Sequence, residues 1–228
     1  MIDASPAVSA PSPADLMATD IIDATHPDVV AMARPLHRRE DAPRDTAIRL
    51  YHAVRDQIRY DPYKVILTTD AMRASRTLAQ GYGWCVTKAA LLAALCRACD
   101  IPARVGYADV RNHLSTERLN ALLGTDVYYW HSYTAIYLDD QWLKATPAFD
   151  ARLCARAGIA PLEFDGRGDS IFHAFDAAGQ RHMEYLHYRG DFSDVPLSSI
   201  LNTFAARHPK LMALSDGDFF TELEASPP

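Results

Sequence analysis

Cysteine and histidine are the residue types in this 228-residue chain best suited to nucleophilic and proton-transfer chemistry, and Cys85 is set apart by where it falls. Gly81-Tyr82-Gly83-Trp84 reads as a glycine-broken turn, and Cys85-Val86-Thr87-Lys88-Ala89-Ala90-Leu91-Leu92 begins a strongly apolar helix. A thiol at a helix start meets unpaired backbone N–H groups and the positive end of the macrodipole. Both favour thiolate, so a lowered pKa and a nucleophilic role are expected for Cys85. Cys96 and Cys99 have the spacing of a redox pair, but they lie at the far end of the same helix, where inert packing is the expectation.

A thiol nucleophile needs a base, and His131 opens the strand-like run His131-Ser132-Tyr133-Thr134-Ala135-Ile136-Tyr137-Leu138, with Trp130 beside it as a shield. A third group should orient the imidazole. The segment returning past His131 offers both Thr146 and Asp150 and does not by itself decide between them; Asp150 also reads as a turn-capping residue. For a developing oxyanion the Cys85 N–H is one donor, with Gln80 or the Trp84 indole as a second; Gln80 reads equally well as a solvated helix-end residue. Asp109, Arg111 and His113 follow the first sheet strand and are substrate-binding candidates, Arg111 for a carboxylate, against the plainer reading of a surface loop.

The elements that must position these side chains are legible from apolar spacing and breakers. Short helical pieces are expected around residues 16–32, broken by Pro27 and Pro35, followed by a helix from Thr46 to about Arg59 capped by Asp45. Another is expected over Thr69 to Gln80, closed by Gly81, and then the Cys85 helix running to about Cys99 and ended by Asp100-Ile101-Pro102. Ala89 to Leu95 leave that helix almost no polar face, so it should be central and buried. Strands are expected over Ala103 to Val110, Tyr128 to Leu138 and Gln141 to Ala145, with a short helix at Glu117 to Leu123 and a hairpin turn at Asp139-Asp140. Beyond Asp150 the pattern weakens to strand pieces near 171–175 and 183–188 and a helix from about Leu197 to Ala206.

With 49% apolar and 23% charged residues the composition is that of an ordinary globular protein, and a net charge of −6 argues against a nucleic-acid or anionic-membrane surface. No run is long enough for a membrane span, and the N-terminus lacks the pattern of a signal peptide, so a cytoplasmic protein with reduced thiols is expected. Residues 1–14 read as a mobile tail and 15–224 as a single domain, with a core at about 45–150, an elaboration at 151–224 and a frayed end at 225–228. Glu163, Asp165, Asp169, His173, Asp176, His182 and Glu184 are metal-capable types, but without a metal-binding spacing they read as a wall of the cleft.

The ordered combination is more specific than any one motif. Gly83-Trp84-Cys85-Val86-Thr87-Lys88-Ala89, the apolar helix through Ile101-Pro102-Ala103-Arg104, then His131-Ser132-Tyr133-Thr134 and Trp142-Leu143-Lys144-Ala145-Thr146-Pro147 resemble the transglutaminase-like core of the papain-like cysteine enzymes over roughly residues 45–150. The resemblance implies an α+β fold with the nucleophile helix packed on an antiparallel sheet. It implies Cys85 as nucleophile, His131 as base, no metal or organic cofactor, and an amide- or ester-containing small molecule or peptide as substrate. One departure stands out: the superfamily usually carries an aspartate before the proline where this chain has Thr146. The longer run Lys144-Ala145-Thr146-Pro147-Ala148-Phe149-Asp150 is similar to a bacterial transglutaminase-like subgroup, in which asparagine is common at the last position. Two rivals stay open, an arylamine acetyltransferase-like enzyme, for which no coenzyme A site is evident, and a non-catalytic binding module on the same fold.

Overall fold

The computed structural model describes residues 9–38, 40–113, 115–172 and 183–212. A 3-10 turn at Pro13–Asp15 is followed by helices α1 (Pro27–Ala33) and α2 (Pro43–Gln57). Strand β1 (Arg59–Tyr60), α3 (Thr69–Met72), α4 (Ala74–Gln80), strand β2 (Tyr82–Gly83) and α5 (Cys85–Arg97) come next. Then come β3 (Ala103–Asn112), α6 (Glu117–Leu123), β4 (Val127–Leu138), β5 (Gln141–Ala145) and α7 (Ala151–Ala157). The described chain ends with β6 (Met183–Phe192), α8 (Leu197–Arg207) and α9 (Pro209–Met212).

The main sheet is antiparallel throughout its described pairs, in the order β5-β4-β3-β6, and α5 packs on it. Every residue of α5 is buried, as its unbroken apolar run requires. Thr134 on β4 donates to the Ala89 carbonyl at 2.8 Å, a direct tie between sheet and helix. This is the expected α+β arrangement. The β4–β5 connection uses Asp139 and Asp140 at φ 48° and 64°, the paired left-handed residues that two-residue hairpins demand.

Several boundaries move for physical reasons. The helix expected from Thr46 starts at Pro43, because proline at the first helical position has no N–H to leave unpaired. The single helix expected over Thr69 to Gln80 is two, divided at Arg73 with ψ 141°. Within the expected tail of residues 1–14, Ser9 accepts from Arg104 and Trp142, and just after it Asp15 is fully buried in an ion pair with Arg104 at 2.8 Å. Residues 173–175, expected to continue a strand, and 225–228, expected to be frayed, lie outside the described residues. Helix α7 was not anticipated, although Asp150 followed by Ala151-Arg152-Leu153 carries the signal of an N-cap before helix formers.

Candidate active site

Cys85 is the first residue of α5, and the turn before it is built by two glycines. Gly81 ends α4 at φ 71°, a left-handed conformation that glycine adopts without strain. Gly83 packs so tightly that a Cβ there would stand 2.5 Å from Thr87 Oγ1 and 3.0 Å from Thr77 Cγ2. The Trp84 N–H donates to Thr87 Oγ1 at 3.1 Å, closing the helix start around the cysteine.

Cys85 and His131 line one cavity of about 40 Å³. Cys85 is 8% and His131 5% exposed. Burial pushes the thiol up to about 11, and the backbone N–H groups of Ser132, Val86 and Cys85 itself act against that without overcoming it. The helix start therefore does not lower the pKa in this closed site as the sequence suggested; desolvation outweighs the dipole. Burial likewise lowers His131 to about 4. Both shifts favour the uncharged forms of the two cavity-lining groups, a thiol and a neutral imidazole. His131 Nε2 has no hydrogen-bond partner among the described residues.

The strand bearing His131 is held by a clamp in place of a plain ladder. Trp130, directly before it, has φ 61°, a conformation costing a bulky residue about 1–2 kcal/mol. Asp109 accepts the Trp130 N–H at 3.1 Å and pairs with Arg189 of β6 at 2.8 Å, and the Arg189 guanidinium lies 4.4 Å from the Trp130 ring centroid. The Trp130 indole donates to Thr203 on α8 at 2.9 Å. The ladder slips between Ala108 and Val110 at the same place. Trp130 and Asp109, expected to touch substrate, are instead tied to each other and to β6 and α8.

The orienting carboxylate expected from Asp150 is committed elsewhere. Its two oxygens accept from Leu153 N at 3.0 Å and Tyr60 N at 3.2 Å, capping α7 and fixing the chain at β1. The turn-capping reading holds for this residue. Thr146 is 1% exposed, and its Oγ1, like His131 Nε2, has no hydrogen-bond partner among the described residues. Gln80 does not serve the cavity either, because its side-chain amide donates to the Tyr82 carbonyl at 2.8 Å. Trp84 does line the cavity. Arg111 is held by Asp126 at 2.7 Å and Glu184 at 3.2 Å, and His113 lies 3.3 Å from Glu184, so both sit in a surface ion-pair network away from the thiol.

The acidic residues after Asp150 are dispersed. Glu163 pairs with Arg55, Asp165 caps its own loop, Asp169 accepts from Lys144 N, and Glu184 joins Arg111. His173, Asp176 and His182 lie outside the described residues. Among the described residues no group of three or more His, Cys, Asp or Glu side chains could hold a metal ion, and no helix is long and apolar enough to cross a membrane.

The cavity also has members that sequence reasoning did not select. Leu119 and Leu123 reach it from α6, Phe204 from α8 and Leu211 from α9, and His208, between the last two helices, completes that side. A histidine directly after Arg207 and before Pro209 carries no catalytic pattern, so only the fold reveals it. Burial lowers its pKa, and its Nδ1 lies 3.0 Å from the Leu123 carbonyl.

The model of the transglutaminase-like superfamily matches residues 30–147, just over half of the chain, with both Cys85 and His131 inside it. The chain belongs to the transglutaminase-like superfamily. Among solved structures, a "Putative Cysteine Protease" from Cytophaga hutchinsonii is 20% identical, with TM-score 0.44, over 59% of this chain and 40% of that one. A "putative protease" from Parabacteroides distasonis is 14% identical, with TM-score 0.38, over 52% of this chain and 23% of that one. The match thus spans less than half the length of either structure. No curated protein matches.

Proposed function

We propose that this protein catalyses acyl transfer from an amide or ester through a Cys85 acyl-enzyme. The observation that carries the reading is that Cys85, at a helix start, and His131, on the adjoining strand, border the same cavity within the family-matched segment. A neutral imidazole is the form that accepts a proton. The thiol proton passes to His131 as sulfur bonds to the substrate carbonyl carbon, and the tetrahedral oxyanion is met by backbone N–H groups at the start of α5. Collapse expels the amine or alcohol, which takes the proton from imidazolium. Water or an amine, deprotonated by the same imidazole, then releases the acyl group; water makes the reaction hydrolysis and an amine makes it transfer, ring-forming amide chemistry included. Thr146 is the remaining candidate to orient the ring.

A small cavity whose burial favours the neutral thiol and imidazole also supports the rival reading, a binding module that has lost its chemistry. A pulse of p-nitrophenyl acetate, followed by intact mass and peptide mapping, decides between them. The enzymatic reading predicts one acetyl group at Cys85, none in Cys85→Ala, and acylation slower by about 10²- to 10⁴-fold in His131→Ala. Adducts spread equally over the four cysteines would reject it. Release measured with and without added methylamine separates hydrolysis from transfer.

A further inference from the structure

The walls of the cavity assign a substrate class. We infer that the acyl donor carries an uncharged, apolar group next to its carbonyl, an inference that rests on the acyl-transfer reading above. The cover supplies Leu119 and Leu123 from α6, Phe204 from α8 and Leu211 from α9, each no more than 6% exposed, and the core side supplies Tyr60 and Val65.

Among the described residues, no aspartate, glutamate, lysine or arginine lines this space. A carbonyl only accepts, so the His208 Nδ1 facing Leu123 carries a proton, and burial lowers the pKa of the ring and so disfavours its charged form. Arg189 and Arg207 lie over the ring of the wall residue Tyr129 at 5.9 and 5.8 Å from its centroid, and Arg189 is already paired with Asp109. A charged acyl group entering here would be desolvated without a partner.

Size gives the second step. At about 40 Å³ the cavity admits a few waters, far below the roughly 300 Å³ of a small-molecule site, so a bulky acyl group fits only as the cover gives way from the core. Parting uncovers Phe204, Leu119 and Leu211. An apolar acyl group covers them again, whereas a polar one leaves them wet, so opening itself selects for apolar donors. Phe204, His208 and Leu211 lie beyond residue 147, where the family match ends, so part of this apolar wall comes from outside the matched segment.

The test is a series of p-nitrophenyl esters, acetate, hexanoate, 3-phenylpropionate and monosuccinate, with Cys85 acylation rates divided by the rates of free cysteine with the same esters. The inference predicts 3-phenylpropionate at least about tenfold above acetate and monosuccinate at least about tenfold below it. Val65→Arg, at a half-buried wall position, should raise monosuccinate relative to 3-phenylpropionate by about tenfold. Normalised rates within about threefold of each other on the unaltered protein would overturn the substrate class while leaving the acyl-transfer reading standing. Absence of Cys85 acylation by every ester would overturn that reading and this inference with it.

Discussion

Cys85 and His131 come from the segment matched by the family model, whereas Phe204, His208 and Leu211, which close the cavity over them, come from chain beyond residue 147. The two regions are stabilised differently. Around the reactive pair the structure uses directional polar ties: Thr134 to the Ala89 carbonyl, Trp84 N to Thr87, and the Asp109–Arg189 clamp behind Trp130. The cover is held mostly by apolar contact, with two hydrogen bonds, from the Trp130 indole to Thr203 of α8 and between His208 and the Leu123 carbonyl at the end of α6. Geometry that must be kept is hydrogen-bonded, and a surface that must part to admit substrate rests on contacts a substrate can replace.

The comparison breaks most visibly at Phe204. It is 4% exposed, packed 5.8 Å from the Trp84 ring and 5.2 Å from His208, and Phe204→Ala should cost about 3–5 kcal/mol in urea unfolding while increasing alkylation of Cys85. If access to Cys85 is unchanged, this helix is not the cover.

Next in size is the acid response of the reactive pair. With His131 at about 4 in the folded protein against 6.5 ordinarily, the unfolded chain binds more protons between those values. Stability therefore falls as pH drops from 6.5 towards 4, approaching a loss of about 3 kcal/mol. His208 acts in the same direction. Urea midpoints across this range should be flatter for His131→Gln, and an unchanged slope would show that His131 is not the buried neutral group described.

Smaller still, Asp109→Ala removes the acceptor of the Trp130 N–H and leaves Arg189 without its carboxylate. A cost of about 2 kcal/mol is expected, since the pair is only partly exposed, together with a lower acylation rate at Cys85. Asp109→Asn should recover part of both, through the retained acceptor. The smallest change belongs to Asp150→Ala, about 1 kcal/mol for a lost helix cap with acylation changed less than about threefold. A hundredfold loss of acylation without loss of stability would restore Asp150 as the partner of His131.

How much of this was readable in advance depended on whether the signal is local. Helix α6 and strand β5 fall on their expected bounds, and α5 starts where the glycine-broken turn ends, because apolar periodicity and breakers are properties of adjacent residues. The pairing of Cys85 with His131 was legible through the resemblance. The sign of the Cys85 pKa shift was not, since the helix start is visible in sequence and the desolvation around it is not. Asp150 failed differently. Its cap signal was present, but the search for a carboxylate near His131 took precedence over the helix formers that follow it. The cover was invisible because Leu119, Phe204 and Leu211 are ordinary core residues until the fold sets them over a thiol.

The two ends of α5 supply the most direct test. Cys85 borders the cavity and burial holds it near 11, whereas Cys96, completely buried in the core, is pushed higher still by burial. A short iodoacetamide pulse across pH, read at each cysteine by peptide mass, should label Cys85 before Cys96 and Cys154, rise with pH as the thiol ionises, and slow in His131→Ala. Cys85 reacting no faster than Cys96, with His131→Ala making no difference, would contradict the assignment of Cys85 and His131 as a working nucleophile and base.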